Sequence, residues 1–375
     1  MQQTVTDILP DVTNIPLDSR LSRRLQKKYL SFQPSILGQA IDLNTELAPD
    51  EIAKTKGLSG YFNYGWAKAA DEIKKASEMG IKKVALRFIA AATRSYCDFE
   101  ASLDKFETVL GKVQARVESY DIALIVDPFG LALTPEGQWG VKNKQGKLDI
   151  ELTCNFLTEI GRRLSRQNVY GVVTLGRVSQ EVQMTKKGIL EGGGKTKIFS
   201  FSQNSETSTA YIYLDSVGHN TGQKILPGHA MEMDLWALFD IWHGTDVSII
   251  KPMENYHLMR SLIDLLEYES ARQKFLSSPA VQRLVMNDPF AQTLLEELCL
   301  NPDILKEKCR NVKLGGYTVS GTTYMLSLLA TAKGPEMARS RLEELWITAF
   351  GILGEKCECL IDRNTMKYFS GSLLY

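Results

Sequence analysis

The run Val247-Ser248-Ile249-Ile250-Lys251-Pro252 places a lysine at the end of a short apolar segment. Such a segment reads as a buried parallel strand, and the proline ends it by removing a ladder donor. Burial disfavours the charged form of an amine, and a neutral amine is a nucleophile that forms Schiff bases with carbonyl compounds. The alternative is a lysine whose stem lines the strand end while its ammonium reaches water. Asp127, Arg177, Ser202 and Ser320 fall at comparable places, at or just past the end of an apolar run. Asp127 suits a general base or, equally, a cap on the next element. Arg177 suits an anion partner or a structural fork.

Other chemistry-bearing residues form no such pattern. His219, His229, His243 and His257 lack the spacing of metal ligands. The six cysteines (97, 154, 299, 309, 357 and 359) contain no C-x-x-C pair. A structural zinc site needs about four ligands, so free, buried thiols are the expectation. Gly192-Gly193-Gly194 precedes a strand rather than a helix and lacks phosphate-loop spacing, so it reads as a tight connection.

The elements that would position these residues alternate. Apolar runs occur at 83–88, 122–126, 169–175, 197–201, 247–251, 317–320 and 358–361, with a weaker one near Ser35–Gly38. Helical stripes lie between them: Trp66, Ala69, Ile73 and Ala76 before Gly80; Leu152 to Leu164; Leu235 to Trp242; Leu258 to Leu266. Eight strands with intervening helices predict an α/β fold, a (β/α)8 TIM barrel, whose chemistry sits at the C-terminal strand ends. Residues 1–35 read as a polar N-terminal arm carrying a basic cluster from Arg20 to Lys28, and 36–375 as the barrel domain. Residues 267–315 form a helical insertion before a late strand, long enough to cover the barrel mouth or contact a neighbour.

Composition narrows the function. The 375 residues carry 44 basic and 44 acidic side chains, so the chain is neutral overall. This argues against a general nucleic-acid binder. No run of about 18 apolar residues exists to span a membrane. The N-terminal residues lack signal-peptide character, which makes a cytoplasmic location the expectation.

From about residue 35 onward, the chain resembles the porphobilinogen synthase (5-aminolevulinate dehydratase) family. The segments that carry the likeness are Gly57–Tyr64, Met79–Leu86, Asp127-Pro128-Phe129, Gly176-Arg177-Val178 and Ile198–Ser202. They continue with Ile250-Lys251-Pro252 and its following Tyr256, then Tyr317–Gly321 with Met325. The resemblance implies that Lys251 is one of the family's two active-site lysines. It further implies that Ser320 holds a substrate carboxylate, with Tyr317 and Ser202 as substrate-binding neighbours.

Several family features are replaced. Asn204 stands where the other lysine is expected and can only hydrogen-bond at that subsite. Ala123 stands in place of an acid, the 131–140 loop has no cysteines, a substrate-binding arginine falls near Leu214, and a late tyrosine falls near Asp362 and Arg363. The expectation is therefore a lyase-type Schiff-base enzyme, using Lys251 and Asp127 on a small keto or amino-keto acid other than a pair of aminolevulinates. It would need no cofactor or metal. The resemblance also implies a homo-oligomer held by the N-terminal arm. The alternative is a non-catalytic homologue that binds a small metabolite or a protein partner. A true porphobilinogen synthase is disfavoured by the missing lysine.

Overall fold

The computed structural model describes residues 35–58, 60–91, 96–135, 138–176, 178–205, 225–226 and 228–371. The 1–34 segment, Arg177, Leu214 and His219 lie outside the described residues.

Eight parallel strands close into a barrel: β1 (Leu37–Asn44), β4 (Lys83–Ile89), β5 (Ala123–Asp127), β6 (Gly171–Thr174), β7 (Lys197–Ser200), β8 (Val247–Ile250), β9 (Lys313–Tyr317) and β10 (Cys357–Asp362). Pairing of Leu37 with Leu360 and Gln39 with Asp362 closes the ring. A hairpin of β2 (Ile52–Lys54) and β3 (Phe62–Tyr64) is added where β1 runs past β10, with Asp42 paired to Asn63. The expected TIM barrel is thus the fold.

Helices α1 (Trp66–Glu78), α2 (Tyr96–Val117), α3 (Ile150–Arg166), α4 (Glu181–Gly192) and α5 (Ala230–Trp242) link successive strands. Their starts and stops follow local chemistry. The Asp149 carboxylate accepts the Leu152 N–H at 3.0 Å to cap α3. Gly193, at φ 76°, ends α4 in the left-handed region, which makes the triple glycine the tight connection its sequence suggests. After α6 (Tyr256–Glu267) come four short helices: α7 (Glu269–Leu276), α8 (Pro279–Val285), α9 (Pro289–Leu300) and α10 (Pro302–Asn311). Three of them open on a proline, whose missing N–H costs nothing at the first helical position. The chain finishes with α11 (Ser320–Lys333), α12 (Pro335–Leu353), β10 and α13 (Thr365–Phe369). Among the described residues, no helix is long and apolar enough to cross a membrane.

The apolar core has three parts. One fills the barrel with Ala40, Ala85, Ile125, Val173, Phe199, Phe201, Val247, Ile249, Cys359 and Ile361. The other two lie between strands and helices on either half of the ring. Inside the barrel, small residues face large ones. A Cβ on Gly171 would sit 2.5 Å from the Phe199 ring, and one on Gly315 would sit 2.5 Å from Ile249 Cδ1. Close packing of the interior therefore requires glycine at both positions.

Two strand boundaries differ from the sequence expectation. The weak run near Ser35–Gly38 is the start of an eight-residue strand, masked in sequence by the buried polar Gln39 and Asp42. The late strand is Lys313–Tyr317, not 317–320; Gly315 and Gly316 hide it from a β-propensity reading, and Ser320 already belongs to α11. The cysteines also differ in part from expectation. Cys309 and Cys359 are buried, whereas Cys154 and Cys357 are half-buried and Cys299 is exposed.

Candidate active site at the barrel mouth

Side chains alternate in and out along each strand. Ala40, Ala85, Ile125, Val173, Phe199, Ile249 and Ile361 face inward. Two residues further along each strand, toward the C-terminal face, come Asp42, Arg87, Asp127, Leu175, Phe201, Lys251 and Arg363; on β9, Tyr317 follows Gly315. The mouth is therefore ringed by one inward residue from each of eight strands. Three are cations and two are carboxylates. Strand register puts Asp42 beside Arg87 and Arg87 beside Asp127 in one lateral row.

Lys251 is half-buried, and its Nζ lies 5.4 Å from the centre of the Tyr317 ring. Phe201 meets Tyr317 edge-on at 5.4 Å and backs the ring that lies beside the lysine. Lys251 also pairs with Asn204: its N–H donates to Gln203 O at 3.0 Å, and its carbonyl accepts from Ser205 N at 2.9 Å. Between the Ser200–Ser248 pair and this bridge, the β7 side has one extra residue. That bulge places Asn204, rather than Gln203, as the bridge partner of Lys251.

The Asp42 carboxylate, 2% exposed, holds two guanidinium groups. Arg87 donates from Nε and Nη2, both at 2.9 Å. Arg363 donates from Nη1 at 2.8 Å and Nη2 at 3.2 Å. Burial pushes the Asp42 carboxyl up, but Arg363 and then Arg87 outweigh it and hold it below its ordinary value. Burial raises the Tyr317 phenol, and the charges of Arg363 and Arg87 pull against that rise. Tyr317 is thus next to Lys251 and within reach of the charges of both arginines. Behind Asp42 and Arg363 is a cavity of about 210 Å³, also lined by Tyr61, Tyr64 and Lys367. Burial lowers the Lys367 ammonium to about 8, and its Nζ sits 3.6 Å above the Tyr61 ring.

The residues expected from sequence distribute unevenly. Lys251, Asp127 and Tyr317 share the inward ring. The Asp127 Oδ1 accepts the Phe129 N–H at 2.9 Å, so this carboxylate caps the next turn while sitting at the mouth. Ser320 begins α11, three residues beyond Tyr317. Ser202 lies on the outer side of its strand, where its hydroxyl and that of Ser200 donate to Asp240 on α5. Burial raises the Asp240 carboxyl to about 7, with those two hydroxyls pulling it back.

The 131–140 loop is a packed apolar element. Leu131 and Ala132 are fully buried, and the Trp139 Nε1–H donates to Phe129 O at 2.9 Å. Among the described residues, no group of three or more His, Cys, Asp or Glu side chains is placed to hold a metal.

Asp42, Arg87 and Arg363 were not singled out as site residues from sequence. The available signal was parity. Lys83, Ala85 and Arg87 share one face of an otherwise apolar strand, so a charge there must lie inside the barrel and needs a partner.

No family model matches the chain, and no curated protein does. Among solved structures, the delta-aminolevulinic acid dehydratase (porphobilinogen synthase) of Toxoplasma gondii, in complex with the reaction product porphobilinogen, has the same fold. The TM-score is 0.68, with 95% of this chain and 91% of that chain covered, at 17% sequence identity. The likeness is one of fold, a (β/α)8 barrel.

Proposed function

We propose that this protein is a Schiff-base enzyme of the porphobilinogen synthase type, acting through Lys251 on a small keto or amino-keto acid and not making porphobilinogen. The observation that supports the reading is the place of Lys251. It is the inward residue at the C-terminal end of β8, beside an aromatic wall and across from ionised groups. Catalytic groups of such barrels come from these strand ends.

In the proposed reaction, neutral Nζ adds to the substrate carbonyl carbon to give a carbinolamine. Loss of water then leaves an imine. Protonated, that imine draws electrons from the adjacent carbon, whose proton becomes acidic enough for a condensation or dehydration step. In this reading Asp127 moves the proton, which its inward position at the end of β5 supports. Asn204, in place of a second amine, offers hydrogen bonds only. Two carbonyl substrates therefore cannot both be held as imines.

Borohydride trapping with a panel of keto acids tests the reading. The expected result is an adduct mass on Lys251 that is absent from Lys251→Ala. The same preparation given aminolevulinate should yield no pyrrole, with or without zinc. Absence of an adduct with every carbonyl compound would favour a non-catalytic, metabolite-binding barrel. Pyrrole formation on the order of one turnover per second would instead restore ordinary porphobilinogen synthesis.

A further inference from the structure

At the mouth, Asp42 is held between Arg87 and Arg363, and strand register puts Asp127 on the other side of Arg87. A purely structural ion pair needs one arginine per carboxylate, yet Asp42 carries two. Arg363 is the buried member, 7% exposed, and closes on Asp42 end-on through both Nη atoms. Arg87 differs. Its side chain is 32% exposed, and it meets Asp42 side-on through Nε and Nη2. Its Nη1 makes no hydrogen bond to a described residue. A guanidinium presents its donors in a fixed fork, so the edge turned from Asp42 is set for a second planar anion.

We propose that Arg87, braced by the Asp42–Arg363 pair, is the carboxylate-recognition residue of the site. The ligand is then a keto acid whose carboxylate meets Arg87 while its carbonyl meets Lys251 beside the Tyr317 ring. This specificity assignment rests on the proposed role of Lys251, but the anion site can be tested without it.

The test compares straight-chain methyl-keto acids, with one to four methylenes between carbonyl and carboxylate, against their neutral amides. Borohydride labelling of Lys251 is read by mass spectrometry in the wild type, Arg87→Gln and Arg87→Lys. At least one acid should reach half-labelling at a concentration roughly tenfold or more below that of its amide, because hydrogen bonds to a charged group are worth about that factor. Read as the ratio of acid to amide within each protein, the advantage should vanish in Arg87→Gln, and Arg87→Lys should fall between. Asp42 keeps Arg363 in both variants, and circular dichroism confirms that they are folded. Equal labelling by acid and amide in the wild type, or an advantage that survives Arg87→Gln, overturns the assignment.

If Lys251 takes no label at all, the role of Lys251 fails and a second measurement decides the anion site. Butanoate and pentanoate, which have no carbonyl, should raise the melting temperature of the wild type and not that of Arg87→Gln. Identical responses of the two proteins would refute the role of Arg87.

Discussion

Asp42→Asn removes one charge from the barrel mouth and almost no volume. The wild-type carboxylate receives four charge-assisted hydrogen bonds at 2.8–3.2 Å. The amide oxygen can still accept some of these, but its nitrogen turns a donor toward two donors. Two guanidinium groups then face each other inside the barrel without the carboxylate that bridged them. Breaking a buried pair by removing one partner costs about 3–5 kcal/mol. Arg87 is about a third exposed, so water screens part of its loss, and the lower end of that range is expected.

The pH dependence separates this mechanism from a packing defect. The folded-state pKa of Asp42 is depressed, so its contribution is fully present above the unfolded value of 3.8 and is lost as pH falls through the lower folded value. Urea unfolding of both proteins should show a constant gap from pH 7 to about pH 5, narrowing below pH 4. Sulfate should restore stability to Asp42→Asn more than to the wild type, since an anion can occupy the vacated place between the arginines. A cost below about 1 kcal/mol at pH 7, or a gap that persists unchanged into acid, would refute the charge argument.

Two stability predictions concern groups outside the mouth. Asp240 has the opposite sign from Asp42: burial raises its carboxyl from 3.8 to about 7, so wild-type stability should fall as pH rises from about 4 to about 7. Asp240→Asn mimics the neutral form and should gain on the wild type over that window by an amount on the order of 4 kcal/mol; parallel stability curves for the two proteins would contradict this. Glycine-to-alanine changes should diverge by site. A Cβ on Gly188 would meet Thr158 O at 1.9 Å where α4 packs on α3, whereas one on Gly111 in α2 meets nothing within 4 Å. Gly188→Ala should lose about 1–3 kcal/mol by overpacking, and Gly111→Ala should gain about 0.5–1 kcal/mol from helix propensity. Thermal melts that rank the two the other way would sink this reading of the helix contact.

Much of the architecture is written locally in the chain. The apolar runs at 83–88, 122–126 and 247–251 alternate with amphipathic helices, and that order admits few topologies besides a parallel barrel. The end of β8 at Lys251 is also local, because Pro252 cannot continue a ladder. Residues whose environment is non-local were harder to read. Gly315 and Gly316 look like a turn until Ile249 and Cys359 on neighbouring strands show why no side chain fits there. Ser202 sits at a strand end like Lys251, but parity across the β7 bulge turns it outward to Asp240, while Asn204 comes to pair with Lys251.

By itself, the sequence determined the barrel and the strand that carries Lys251. Those features depend on residue type, periodicity and spacing along one stretch of chain. Only the tertiary structure decided that Asp42, Arg87 and Arg363 form one cluster. Arg363 and Asp42 are 321 residues apart, and Arg87 and Asp42 are 45 apart. Three charges in three separate strands are individually unremarkable in a sequence. They become a site because closing the ring brings the end of β10 against β1, where Arg363 reaches Asp42, while the β1–β4 register sets Arg87 directly beside it.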